Sequence, residues 1–237
     1  MRSFACVISA VLLMTTAQGS MATTPSAAMA RNKAIVTAGD PTESIFSVQA
    51  DGSILHRLSG ALCPSDFEYA HLLDIQIYPA AAPGEDVGCD YGRVGPDGYL
   101  ASKLTIFIVR MPEGATLDAV YEKYRNEVLA NPSAVEGPPS LHITDQRTGS
   151  DNANYRANGF SVTLEGRRFH SELLVSLYGH WAIEVRATYP NAEIVVDKNT
   201  TKEDLRKQLS DIKDPYLAFM AVSDSLTNAK GRPDQPK

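Results

Sequence analysis

Four side chains in the C-terminal half have types and spacing that suit acid–base chemistry or the binding of an anion: His170, Glu172, Glu184 and Arg186. A histidine beside carboxylates can transfer protons, and an arginine can hold an anionic group. The segments that carry these residues alternate between polar and apolar side chains with the period of two that is typical of β-strands. Whether the four side chains converge depends on how those strands pair.

Three antiparallel strands are predicted at Tyr155–Leu164, Arg168–Leu177 and Trp181–Tyr189. A two-residue turn at Glu165-Gly166 joins the first two strands. We expect a three-residue loop, Tyr178-Gly179-His180, between the last two. An odd loop length there puts the apolar residues of all three strands on one face, and a shift of one residue would invert the whole third strand.

In that register the opposite face carries Ser161 and all four candidate residues. Glu172 lies across from Arg186, and His170 lies one pleat away. Two interpretations stay open: a cleft that binds an anion or does acid–base work, or the ordinary pairing of opposite charges that stabilises a sheet. The aromatic residues of these strands line either a pocket or a core beneath a helix: Phe160, Phe169, Trp181 and Tyr189.

The N-terminus predicts export. Arg2 precedes an apolar run from Phe4 to Met14, and small residues follow, which is the order of a secretory signal peptide. The run is too short for a membrane span, which needs roughly 20 apolar residues. We expect a signal peptide at 1–19 that is cleaved near residues 17–19, a flexible leader at 20–32, one globular domain at 33–228 and a disordered tail at 229–237. The mature protein is then periplasmic or secreted.

Cys63 and Cys89 are the two cysteines outside the signal segment. In an oxidising compartment such a pair tends to form a disulfide. The alternatives are two free thiols or a functional site, although a zinc site needs two further ligands and the histidines are scattered along the chain. We predict a structural disulfide whose loop of about 26 residues stabilises the fold by about 3.5 kcal/mol.

Charge and motifs exclude several classes of protein. The chain has 22 Lys and Arg against 28 Asp and Glu, a formal net charge of −6, and so lacks the basic surface that binds nucleic acid or anionic lipid. It contains no G-x-S-x-G elbow, no H-E-x-x-H pair, no P-loop and no EF-hand loop. We expect neither a metal nor a cofactor.

The remaining segments predict an α+β fold. Asp51-Gly52 predicts a hairpin, Gly84–Gly98 a loop around a short strand at Cys89, and Lys103–Arg110 a central strand. A helix capped by Thr116 follows, and further helix is predicted at 201–226. We therefore expect an antiparallel sheet, made from the N-terminal hairpin and the C-terminal three-strand meander, packed against two to three helices.

Three stretches resemble exported bacterial proteins of unknown function: "GHWAIEVRATYP" (Gly179–Pro190), "DVGCDYG" and "KLTIFIVR". The order of elements from about residue 116 to residue 226 is similar to that of the PsbP-like α/β/α sandwich group. That resemblance implies a largely non-catalytic role, as an assembly factor or a subunit of a larger complex. It carries no catalytic motif onto this chain.

Two functions stay open after these observations. The first is an exported, non-enzymatic binding or accessory protein of the cell envelope, whose partner is a protein or an apolar small molecule bound in a cleft between sheet and helix. The alternative is a small hydrolase that uses the four candidate residues. Neither involves nucleic acid or a membrane span.

Overall fold

The computed structural model of the chain describes residues 25–37, 42–67, 70–79, 82–94, 100–139, 155–164, 166–190, 215, 217–223 and 225–226. The predicted signal peptide, the first part of the helix predicted at 201–226 and the predicted tail lie outside the described residues. Within 215–226 the described residues are helical, as predicted.

The strands form two antiparallel sheets. The small sheet has the order β1-β2-β3, with bounds Phe46–Val48, Ile54–His56 and Leu62–Cys63. The large sheet has the order β4-β5-β6-β10-β9-β8-β7. Its strands are β4 His71–Ile77, β5 Asp86–Val94, β6 Leu100–Arg110, β7 Val135–Gly137, β8 Tyr155–Leu164, β9 Arg167–Tyr178 and β10 Trp181–Pro190. The described helices are α1 Pro25–Thr37, α2 Thr42–Ile45 and α3 Leu117–Leu129. This arrangement agrees with the broad α+β class that the sequence predicts.

Helix α3 begins where the sequence predicts it. The hydroxyl of Thr116, the N-cap residue, accepts a hydrogen bond from the backbone N–H of Ala119 at 3.3 Å, which satisfies one of the free donors of the first turn. The helix buries one face against strands β8 and β9: Val120, Tyr121, Tyr124 and Val128. Helix α3 therefore covers only part of the large sheet.

The large sheet has a separate core on each face. On one face, the buried residues of α3 pack against apolar side chains of β8 and β9, including Phe160, Leu173 and Val175. On the other face, the small sheet, α1 and the helical residues near 219 cover the apolar side chains of β5, β6 and β10. The central strands are thus buried on both faces.

The register of β10 differs by one residue from the prediction. Trp181 pairs with Tyr178, so the loop between β9 and β10 has two residues, Gly179 and His180, instead of three. Gly179 has a φ of +60°, a conformation that suits a two-residue hairpin. Because both faces of the sheet are buried, apolar residues satisfy either register, and the pattern that predicted one buried face did not apply.

This register separates the aromatic residues of the meander. Phe160 and Phe169 belong to the core beneath α3, whereas Trp181 and Tyr189 belong to the core on the opposite face. The first turn is as predicted, because Leu164 pairs with Arg167. The four aromatic side chains therefore do not line a common pocket.

The N-terminal hairpin forms, but in the small sheet and not in the large one. Val48 pairs with Ile54, which leaves a five-residue connection in place of a tight Asp-Gly turn. The Asp51 carboxylate accepts hydrogen bonds from the backbone N–H of Ser53 at 2.9 Å and from its hydroxyl at 2.6 Å, and these bonds lower the pKa of Asp51. A side-chain turn of this kind competes with the two-residue hairpin.

Residues 25–32, predicted as part of a flexible leader, lie in helix α1. Ala28, Asn32 and Val36 are buried on one side of it. The Asn32 amide donates to the Gly52 carbonyl at 2.7 Å, and Arg31 pairs with Asp66 at 2.9 Å. The apolar pattern gives little sign of this helix, because its buried face has one large apolar residue and otherwise an alanine and an amide.

The predicted disulfide joins the small sheet to the large one. Cys63 on β3 is bonded to Cys89 on β5, with the two Cα atoms 6.4 Å apart. Two further contacts cross the same boundary: the Tyr91 hydroxyl donates to the Pro64 carbonyl at 2.8 Å, and the His56 ring meets the Trp181 ring edge-on. The segment around Cys89 is a nine-residue strand, longer than predicted.

Candidate functional site

The large sheet separates the four candidate residues. His170 and Glu172 lie on the face that the small sheet covers, and Glu184 and Arg186 lie on the α3 face. Glu172 therefore does not lie across from Arg186. The predicted cluster was wrong because it depended on the three-residue loop, and the two-residue loop turns β10 over relative to β9.

His170 and Glu172 form a contact on their own face. His170 Nε2 lies 2.7 Å from Glu172 Oε1, and the Tyr189 hydroxyl donates to the same oxygen at 3.3 Å. The Glu172 side chain is fully buried, and that of His170 is 20% exposed. Ser161 lies across from His170, but among the described residues no hydrogen bond joins its hydroxyl to the imidazole. The Ser161 hydroxyl is therefore not positioned by this histidine.

Gly159 gives the His170 ring its space on β8. A Cβ at this position would lie 3.0 Å from two atoms of the imidazole and 2.3 Å from the Pro138 carbonyl oxygen. Both distances are too short for van der Waals contact, and the oxygen belongs to the backbone. The glycine is therefore required by the packing of β8 against its neighbours.

We expect Gly159→Ala to lower the free energy of unfolding by about 1–3 kcal/mol, as overpacking does elsewhere. Chemical denaturation measures this loss. Gly137→Ala is the matched control, because Gly137 pairs with Gly159 and its nearest neighbour to an added Cβ is 3.9 Å away. Equal stabilities for the two variants would contradict this account of the packing.

On the α3 face, Arg186 connects two carboxylates. Its guanidinium donates to Glu184 on the same strand and lies 3.7 Å from the Glu127 carboxylate on α3. The Glu184 side chain is 3% exposed and that of Arg186 is 19% exposed. Arg186 Nε has no hydrogen-bond partner among the described residues. One cation is thus shared by a buried acid and an acid at the helix flank.

Burial raises the pKa of Glu184 to about 7, because a carboxylate loses its hydration inside the protein. Arg186 opposes this rise, Glu127 adds to it by repulsion, and Lys123 opposes it weakly. Glu184 therefore changes charge near neutral pH, at the contact between the sheet and α3.

An aromatic row continues from Arg186 across the sheet. The guanidinium carbon of Arg186 lies 5.7 Å from the centre of the Phe107 ring, and that ring lies 5.9 Å from the Tyr78 ring. Tyr78 lies over Gly88, where an added Cβ would be 3.3 Å from its ring. Tyr78, Phe107 and Arg186 are each half-buried. Glu127 on the flank of α3 lies beside the Arg186 end of this row. We call the surface formed by Glu127, Arg186, Phe107 and Tyr78 the α3 cleft.

Polar side chains next to this row have partners within the protein. Asp90 accepts from Thr105 at 2.6 Å and from Gln76 at 2.9 Å, and it pairs with Lys103 at 3.2 Å. Its side chain is 8% exposed. The sheet surface beside the α3 cleft is therefore polar, and Lys103 compensates the buried charge of Asp90.

Sequence reasoning found Glu184 and Arg186 but missed the other residues of the α3 cleft. Phe107 lies in an apolar run that predicts a strand buried on both faces, and Tyr78 lies at the end of another strand. Glu127 looks like an ordinary solvent-exposed position of an amphipathic helix. Only the pairing of β6 with β10 and the path of α3 bring these residues together.

His56 is buried where the small sheet meets the large one. Its Nε2 donates to the Gly84 carbonyl at 2.9 Å, and its Nδ1 accepts from the Ser59 hydroxyl at 2.7 Å. Burial lowers the pKa of His56 to about 4. The ring packs against Phe46 and Trp181. This histidine is held neutral by its surroundings and is closed off from solvent.

The described part of the chain contains no group of three or more His, Cys, Asp and Glu side chains that could hold a metal ion. None of the helices in the described ranges combines the length and the apolar character that crossing a bilayer requires. Comparison with protein-family models and with curated proteins finds no match to this chain.

Proposed function

We propose that the protein is an exported binding protein that holds an apolar group of its partner in the α3 cleft and catalyses no reaction. The observation that carries this proposal is the half-buried row of Tyr78, Phe107 and Arg186 beside the flank of α3. Binding sites for small molecules combine apolar and aromatic surface with a few polar groups. The predicted signal peptide supports export, and the disulfide fits an oxidising compartment.

The arrangement of the charged groups favours binding over catalysis. The His170–Glu172 contact and the Glu184–Arg186 contact lie on opposite faces of the sheet, so they cannot act on one substrate. Arg186 already contacts two carboxylates, and Asp90 is paired with Lys103. Because the charges are compensated within the protein, the cleft offers an ionic ligand little to gain and suits an uncharged apolar group.

A neutral fluorescent probe, N-phenyl-1-naphthylamine, tests this proposal. We expect the wild-type protein to bind it saturably, with one site per chain, and Phe107→Ala to weaken binding by about tenfold or more. The reason is that full burial of a phenylalanine side chain is worth about 1.5–3 kcal/mol, and each 1.4 kcal/mol is a factor of ten. Fluorescence titration measures both affinities.

Phe67→Ala is the matched control. Phe67 is also half-buried, but it packs on Tyr91 on the other face of the large sheet. We expect this variant to bind the probe as the wild type does. Equal losses in both variants would show that the probe responds to general loosening, and unsaturable binding by the wild type would overturn the proposal.

A further inference from the structure

We propose that the contact between helix α3 and strand β10 is a pH-sensitive switch, in which Glu184 takes up or releases the proton and Arg186 is the shared counter-ion. The switch is a property of the protein alone. Its consequence, a change in the width of the α3 cleft, rests on the proposed function.

The charged side chains around Glu184 come from its own strand and from α3. Arg186 on its own strand donates to it, and α3 contributes Glu127 and Lys123. The residues paired with Glu184 on the neighbouring strands are Val175 on β9 and Phe107 on β6, and neither titrates. Among the described residues, the charge balance at this contact therefore depends on two acids, one arginine and one lysine.

Protonated Glu184 leaves Arg186 to pair with Glu127. In that state a cation on the sheet faces an anion on the helix, 3.7 Å apart, and the pair ties the flank of α3 to β10. Neutral Glu184 also avoids the large cost of an ionised carboxylate in a buried position. The structure is thus consistent with firm docking of α3 when Glu184 carries its proton.

Ionisation of Glu184 changes its interactions with both Arg186 and Glu127. It competes for Arg186, which it contacts directly, and it repels Glu127. Glu127 on α3 raises the pKa of Glu184 more strongly than Lys123 on the same helix lowers it. Linkage therefore requires that loss of the Glu184 proton weakens the hold on α3. The side chain is 3% exposed and cannot relieve its charge in water without a movement of the helix. We therefore expect the flank of α3 to loosen as the pH rises through 7.

Hydrogen exchange, measured by mass spectrometry without ligand, tests the switch. After correction for the intrinsic pH dependence of exchange, we expect the protection of amides in Leu117–Leu129 to fall by about tenfold between pH 6 and pH 8. Peptides from β5 and β6 should keep their protection. In Glu184→Gln, which mimics the protonated acid, protection of α3 should not change with pH.

Glu127→Gln separates the switch from simple burial of Glu184. This variant removes the repulsion but keeps the buried acid, so the pH dependence of α3 protection should shrink. Equal pH dependence in the wild type and in Glu184→Gln would overturn the switch, as would constant protection in the wild type. Probe binding is measured separately, so a failure of the switch and a failure of the proposed function remain distinguishable.

Discussion

Replacing both cysteines, as Cys63→Ser with Cys89→Ser, is expected to lower the free energy of unfolding by about 3.5 kcal/mol. The disulfide closes a loop with a sequence separation of 26 residues, and without it the unfolded chain gains the entropy of that loop. Because stabilities of natural domains are only about 5–15 kcal/mol, this is a large fraction of the total. Denaturant titration of the double variant measures the loss.

The contacts beside the disulfide determine which strands lose stability when the disulfide is removed. The Tyr91–Pro64 hydrogen bond and the His56–Trp181 contact remain in the double variant. We expect amide exchange to rise most in β1–β3, because these strands lose their covalent link to β5. Wild-type protein treated with reductant under denaturing conditions and refolded should match the double variant. A loss below about 1 kcal/mol, well under the chain-entropy value, would contradict stabilisation through the entropy of the unfolded chain.

The second large expected effect is a pH dependence of the free energy of unfolding, which becomes visible in the Glu184→Gln variant. We expect its free energy of unfolding to fall by about 3 kcal/mol between pH 6.5 and pH 4, because one pKa unit corresponds to about 1.4 kcal/mol. The cause is His56, whose pKa is lowered from 6.5 to about 4 in the folded protein. Below pH 6.5 His56 is protonated in the unfolded chain but stays neutral in the folded protein. The free energy of unfolding therefore falls as the pH falls.

In the wild type, Glu184 offsets this effect. Its pKa is raised from 4.5 to about 7, so the folded protein keeps a proton that the unfolded chain has already released. This group destabilises the fold progressively as the pH rises from 4.5 to 7. The pH dependences of stability that arise from His56 and Glu184 have opposite sign over nearly the same pH range. Their contributions to wild-type stability therefore largely cancel.

Denaturant titrations at half-unit pH intervals, on the wild type and on Glu184→Gln, provide the measurement. The difference in stability between the two proteins isolates Glu184, because His56 and the other groups are common to both. This difference should grow by about 3 kcal/mol in favour of the variant between pH 4.5 and pH 7. A difference that does not vary with pH would show that Glu184 titrates normally and is not desolvated in the folded protein.

Local sequence signals predicted the elements of the fold well. The Thr116 cap and the helical spacing of Val120, Tyr121, Tyr124 and Val128 placed α3, and the alternation of β8, β9 and β10 placed the meander. The disulfide was predicted from the expected oxidising compartment and from the number of cysteines. These features depend on a few adjacent residues and on backbone preferences, which the sequence shows directly.

The candidate site was not predictable in the same way. The connection after Tyr178 could have two residues or three, and the choice decides which face of the sheet carries Glu184 and Arg186. A half-buried sheet would have fixed the register through its apolar pattern, but both faces of this sheet are buried. Phe107 and Glu127 join the site only through pairing and packing between elements distant in sequence, and no local signal marks them.

Mapping of the bound probe by NMR shows whether the α3 cleft is the binding site. N-phenyl-1-naphthylamine would be titrated into 15N-labelled protein, and shifts of backbone amides followed. We expect the shifts to cluster at Tyr78, Phe107, Arg186 and the Glu127 flank of α3, with little change at His170 and Glu172. Shifts centred on His170 and Glu172 would contradict this expectation and direct attention to the other face of the sheet.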